Sequence, residues 1–124
     1  MKFCICKNCG NIITFLHDAG AAEMCCGQEM TELIPGSVDA VTEKHVPVVT
    51  RSGNTVTVNV GSVAHPMIPA HFIQWIAVET NQGSQIKYLK PETAPEAVFA
   101  LADGEEVVAV YEYCNLHGLW KTEM

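Results

Sequence analysis

Cys114 and four histidines, His45, His65, His71 and His117, are the only cysteine and the only histidines after residue 37, and they fall in the short motifs KHVP, HPMIPAH and YCNLHG. Five donors of these kinds point to a metal. A structural zinc is satisfied by four ligands, and a blue-copper site takes two imidazoles, one thiolate and a weak axial donor. Four imidazoles and a thiolate overfill both, and suit a five-coordinate iron with a sixth position left for a substrate. A lone histidine is more often a core or surface residue, and His45 taken singly would be read that way. The short pairings in CNLH and HPMIPAH turn the group into a ligand set.

A second group lies near the start of the chain. Cys6 and Cys9 form a CxxC knuckle, and Cys25 and Cys26 stand side by side further on. Two thiolates at CxxC spacing wrap one tetrahedral ion, whereas adjacent cysteines must bend towards a shared one. Tetrahedral sulfur suits zinc or iron alike, so spacing does not name the metal. Cys4 is left over, as a spare thiol or a competitor for the place of Cys6.

Histidines at the spacing of His65 and His71 would not share one face of a helix, so a loop or short turn shaped by Pro66 and Pro69 must present them. Asn115 and Leu116 separate Cys114 from His117, which makes backbone amides available to the sulfur. A thiolate opposite an open position pushes electron density towards a bound dioxygen species, which favours redox chemistry on a small oxygen ligand. Glu43 and Lys44 directly precede His45 and place one acid and one cation beside the metal. Without that histidine they would read as ordinary solvated charges.

The elements that must position these residues are almost entirely β. Residues 46 to 51 and 55 to 60 flank Ser52-Gly53-Asn54, and Val56, Val58 and Val60 alternate with Thr57 and Asn59 as in a half-buried hairpin arm. Further apolar runs cover residues 72 to 80, 85 to 89, 97 to 101 and 107 to 113, separated by turn residues. This spacing, with no helix of ten residues, predicts a β-sandwich whose strand ends and loops carry the ligand motifs. The first segment, to about Pro35, is of a size that usually needs a metal, a disulfide or oligomerisation to fold. Ile34-Pro35-Gly36-Ser37 reads as a linker.

Composition narrows the function classes. The chain has 124 residues, no long apolar run and no secretory signal in its first ten residues, so a cytoplasmic protein without a membrane span is expected. Five of the six cysteines crowd into the first 26 residues, which favours reduced, metal-bound thiolates over disulfides. A net charge of -7 argues against nucleic acid or an anionic membrane as partner. An anionic substrate must then be drawn in locally.

Taken together, CKNCGN at 6 to 11, CCG at 25 to 27, EKHVP at 43 to 47, GSVAHPMIPAHFIQWI at 61 to 76, LKP at 89 to 91 and YCNLHGLWK at 113 to 121 resemble the desulfoferrodoxin family of two-iron superoxide reductases. The resemblance covers nearly the whole chain. It implies a desulforedoxin-like domain over residues 1–36, where Cys6, Cys9, Cys25 and Cys26 hold a tetrahedral iron, and an immunoglobulin-like antiparallel β-sandwich over 37–124. It also implies a square-pyramidal second iron with His45, His65, His71 and His117 equatorial and Cys114 axial. Glu43 corresponds to the glutamate that fills the sixth position in the oxidised state, and Lys44 to the lysine that draws in superoxide. The implied reaction is one-electron reduction of superoxide to hydrogen peroxide, with a rubredoxin-like donor and a homodimeric protein. Cys4 and His17 match no family ligand.

Two other classes compete on residue content. An electron carrier of cupredoxin type also uses a sandwich and a Cys-x-x-His, but the next methionine, Met124, lies seven residues past His117 and four histidines exceed its need. A redox-sensing metal module would need the first cysteine set alone.

Overall fold

The computed structural model describes residues 1–124, which divide into two compact units, Met1–Ile34 and Pro35–Met124. In the first, strands β1 (Phe3–Ile5), β2 (Ile12–Thr14) and β5 (Thr31–Glu32) form a sheet of order β2-β1-β5. Strands β3 (Met24–Cys25) and β4 (Gln28–Glu29) form a separate hairpin. Its pairing Cys25↔Gln28 leaves only Cys26 and Gly27 in the turn, at φ 54° and 73°. Two successive left-handed residues define the tight turn that fits strand twist, and glycine takes that conformation without strain. Cys26 does so at a cost, as residues at functional sites often do.

The second unit begins with a single helical turn, α1 (Thr42–His45), followed by β6 (Pro47–Ser52), β7 (Thr55–Val60), β8 (Ile73–Thr80), β9 (Gly83–Tyr88), β10 (Glu96–Ala100), β11 (Val107–Cys114) and β12 (Gly118–Glu123). These strands form two antiparallel sheets of order β10-β7-β6 and β12-β11-β8-β9. The alternation in β7 buries Val56, Val58 and Val60, and that in β10 buries Ala97 and Phe99. They pack into one core with Ile73, Ile76, Val78, Val110 and Cys114 from the other sheet. Each fully buried side chain of this size contributes about 1.5–3 kcal/mol. No helix is long and apolar enough to cross a membrane.

The sheets are stitched along one side by side chains of β9. Gln85 donates to the Ala100 carbonyl at 2.8 Å and Lys87 to that of Val98, so the edge strand β10 does not present an open row of acceptors. On the other side, the Thr122 hydroxyl donates to the Pro47 carbonyl at 2.6 Å.

A register shift matters most for the site. Tyr113 pairs with Trp75 but Cys114 pairs with Ile73, leaving Gln74 as an extra residue on β8. Such a bulge bends its strand and re-aims what precedes it. Here it directs the entry of β8, and His71 two residues upstream, beside Cys114. The strands expected from the sequence are present with ends shifted by one or two residues. β12 and the short strands of the first unit lay outside that reading, because GLWKTE offers little alternation and the others span only two or three residues.

Candidate metal centres

The four-sulfur group is assembled from a knuckle and a hairpin. At the knuckle the Gly10 N–H donates to the Cys6 carbonyl and the Cys6 N–H to that of Asn11, each at 2.8 Å. The backbone amide of Cys9 is the main cause holding the Cys6 thiol down at about 6, with that of Asn8 adding to it. Cys25 is pushed up to about 12, first because its proton is held against the Cys6 sulfur and then by Cys9. Cys9 Sγ lies 3.6 Å and Cys26 Sγ 3.9 Å from Cys25 Sγ, and all four sulfurs stand within 4.8 Å of one another. The left-handed Cys26 answers how adjacent cysteines can share one ion, since the turn brings both side chains to the same side.

The second group lies at one end of the sandwich. His45 comes from α1, His65 and His71 from the loop between β7 and β8, and Cys114 and His117 from the turn between β11 and β12. His45, His65 and Cys114 are buried, while His71 and His117 are half-buried. The imidazoles form a closed cycle in which each ring stands edge-on to two others. Centroid separations are 4.7 Å for His45–His65, 4.7 Å for His65–His71, 5.0 Å for His71–His117 and 4.9 Å for His117–His45.

Ring nitrogens show which atoms face inward. His45 Nδ1 lies 2.7 Å from the Val41 carbonyl and His65 Nδ1 2.6 Å from that of Pro66, which fixes the proton on Nδ1 and leaves Nε2 as a bare lone pair. His45 Nε2 then stands 3.2 Å from His65 Nε2 and 3.1 Å from His117 Nδ1. Burial is the largest cause lowering the His45, His65 and His71 pKa values, to about 4 for His65, and the neighbouring imidazoles and Lys44 add to the effect at His45 and His71. Ring nitrogens that converge on one point, and a buried His71 Nε2 with no hydrogen-bond partner, call for a cation at the centre.

Cys114 supports the same conclusion. Burial pushes its thiol up, and the backbone amides of Leu116 and His117 only partly offset this. A cation is what stabilises a thiolate in such surroundings. The five donor atoms lie within 4.8 Å of one another, and the set of borderline nitrogens and one sulfur fits iron.

Glu43 and Lys44 occupy the middle of α1, with Glu43 exposed and Lys44 half-buried. Both therefore ride on the element that delivers His45. Cys4, on β1, belongs to neither donor group, and His17 is exposed in a loop of the first unit. Sequence reasoning gave no role to Trp120, which stacks on His45 at 5.1 Å and donates its indole N–H to the His117 carbonyl at 3.1 Å. Its place in YCNLHGLWK, three residues after His117, was the available signal.

The profile of the desulfoferrodoxin family matches residues 37–123. The desulfoferrodoxin of Syntrophotalea carbinolica is 48% identical over 118 residues, covering 95% of this chain and 92% of that protein. That of Nitratidesulfovibrio vulgaris gives the same identity and coverage. Among solved structures, the superoxide reductase from Treponema pallidum superposes with a TM-score of 0.83 at 40% identity, covering 98% of both chains. The superoxide reductase (1Fe-SOR) from Giardia intestinalis aligns with 66% of this chain and 97% of its own, at a TM-score of 0.57 and 34% identity. With a converging group of four imidazoles and one thiolate, a second group of four thiolates and relatives matched over nearly their full length, this chain belongs to the desulfoferrodoxin family.

Proposed function

We propose that this protein is a superoxide reductase: superoxide, one electron and two protons give hydrogen peroxide. The observation that carries the reading is the closed cycle of His45, His65, His71 and His117 with the buried Cys114 sulfur among the same donors. In this reading His45, His65, His71, His117 and Cys114 would hold the iron. Iron held there supplies the single electron. Cys114, whose sulfur the backbone amides of Leu116 and His117 favour as a thiolate, would donate electron density to that iron. Lys44, close enough for its charge to act on His45 and His71, attracts the anion. Glu43, exposed on the same helical turn, would offer a further carboxylate ligand to the oxidised iron.

Cys6, Cys9, Cys25 and Cys26 hold the other iron in a domain of residues 1–36, and the sandwich domain comprises 37–124. A rubredoxin-like protein restores the electron, the working form is a homodimer, and the reducing cytoplasm keeps the clustered thiols available to metal. Mixing the reduced protein with a measured pulse of superoxide tests the function. One hydrogen peroxide per superoxide with no dioxygen is expected. One peroxide and one dioxygen for each pair of superoxide ions would make the protein a dismutase and overturn the reading.

A further inference from the structure

Metal-bound imidazoles are ordinarily oriented through the ring nitrogen that faces away from the ion. His45 and His65 follow that rule through the carbonyls of Val41 and Pro66, and the turn bearing His117 is held by the Trp120 indole. His71 has no comparable bond. Its Nε2 is buried without a partner, and its ring neighbours are the imidazoles of His65 and His117.

The residues on either side of His71 are held instead, and by a single side chain. Asn115 Oδ1 accepts the Phe72 N–H at 2.9 Å, and Asn115 Nδ2 donates to the Ala70 carbonyl at 3.0 Å. The backbone N–H of Asn115 adds a bond to the Phe72 carbonyl at 3.2 Å. Reciprocal bonds between Ile68 and His71, at 3.1 and 3.0 Å, close the turn from the other end. The amide of Asn115 reaches a segment more than forty residues away in sequence, so it is a tertiary clamp and not a local turn device.

We propose that Asn115 is the positioning residue for His71, fixing the peptide units on both sides of it and so setting where its Nε2 points within the donor cycle. The proposal rests on reading the five residues as a metal centre. Because Asn115 directly follows Cys114, the same residue ties the imidazole loop to the thiolate turn. His71 and Cys114 then keep their relative placement as one rigid pair, without any bond to the ring itself.

Cobalt(II) is a suitable probe, since its visible bands distinguish four- from five-coordination and its thiolate bands differ in intensity between a four-sulfur and a one-sulfur site. The full-length protein, stripped of metal, would be titrated with cobalt alongside Asn115→Ala, Asn115→Asp, His71→Ala and the Asn115→Ala/His71→Ala pair. Loss of a partner that orients a ligand typically costs about 10- to 100-fold in metal affinity. Asn115→Ala should show that loss at the histidine site, with far-ultraviolet dichroism and the four-sulfur bands unchanged. Asn115→Asp keeps the acceptor for Phe72 and loses the donor to Ala70, and it should fall between parent and Asn115→Ala; it serves equally if the alanine variant folds poorly.

In the His71→Ala background, adding Asn115→Ala should change affinity by less than about twofold, because its effect passes through His71. An undiminished loss in that background, or parent affinity in both single Asn115 variants, would overturn the proposal. A parent that takes up cobalt only at the four-sulfur site would overturn the metal-centre reading as well.

Discussion

Gly61 lies against the backbone of Glu43: a Cβ on Gly61 would stand 2.6 Å from the Glu43 carbonyl oxygen and 2.8 Å from the carbonyl carbon of Lys44. The same Glu43 oxygen accepts the Val63 N–H at 3.0 Å and the Ser62 hydroxyl at 3.3 Å, and the Gly61 N–H donates to the Val46 carbonyl at 3.1 Å. The turn after β7 thus forms the seat of the segment carrying Glu43, Lys44 and His45. With φ at 81°, Gly61 is also in a conformation that disfavours a side chain. Gly61→Ala should cost roughly 1–3 kcal/mol in urea unfolding and shift the spectrum of the histidine-bound metal, leaving the four-sulfur bands alone. A parent-like midpoint and spectrum would show that the segment is seated by something else.

The two donor groups share no residue, which predicts independent spectra. Cys114→Ser should remove the single-thiolate charge-transfer band and the reaction with superoxide while the four-sulfur bands persist. Cys4→Ser should leave both sets unchanged, because Cys4 is buried on β1 outside either group. Bleaching of the four-sulfur bands by Cys4→Ser would mean that Cys4, not Cys6, is the ligand.

Both donor groups could be named from sequence because their signal is residue type at short spacing, and strands that alternate cleanly, such as Val56–Val60, announced the sandwich. What holds the donors in place was not legible. Asn115 acts on Ala70 and Phe72, Trp120 on His45, and Gly61 on Glu43, and each relation joins residues distant in sequence through hydrogen bonds or contact that no periodicity encodes. The bulge at Gln74 is likewise a property of pairing between β8 and β11, invisible in either strand alone. Cys26 is an intermediate case. The adjacent cysteines were a visible anomaly, and only the two-residue turn supplies the reason.

Glu112 predicts a gain. It lies two residues before Cys114 on β11, fully buried between Ile76 and Trp120 in register, and neither carboxyl oxygen has a hydrogen-bond partner. Burial pushes its pKa well above the ordinary carboxylate value, because the charged form is the one that loses most by leaving water. An unsatisfied buried polar group costs about 1–3 kcal/mol. Glu112→Leu should raise the stability of the folded chain to urea by a similar amount, and Glu112→Gln, which keeps a polar end, by less. A fall with Glu112→Leu would show that the carboxyl finds a partner in solution.

The loop before β11 carries a pH-dependent contribution of the opposite kind. The Thr80 hydroxyl first, and then the Ala102 amide, hold the Glu105 carboxyl below its ordinary value of 4.5. A depressed folded-state pKa gives stability that is present above the unfolded value and lost as pH falls through the folded one. Parent and Glu105→Gln should therefore differ in melting temperature at pH 7 and converge as the pH falls below the carboxylate range, with any acid release of metal common to both. A constant difference across that range would remove Glu105 from the account.

The last prediction separates the jobs of Glu43 and Lys44, and starts from the conflict between a net charge of -7 and an anionic substrate. At physiological salt, screening confines exposed charge effects to about 8 Å, so a cation beside the site can dominate the final approach despite the acidic whole. Lys44 is such a cation. Lys2 pairs with Asp18 and Glu32, Arg51 with Glu106 and Lys121 with Glu123, and Lys44 takes part in none of these ion pairs. Lys44→Ala should slow the bimolecular reaction with superoxide and change its dependence on ionic strength, with the ferrous site still assembled. Glu43→Ala removes a carboxylate from the exposed side of the same turn, so the oxidised spectrum should shift while the first encounter stays nearly as fast. Pulse radiolysis of both variants across a range of salt concentrations makes the comparison. Equal encounter rates for Lys44→Ala and the parent would refute steering, and an unchanged ferric spectrum in Glu43→Ala would refute the ligand role.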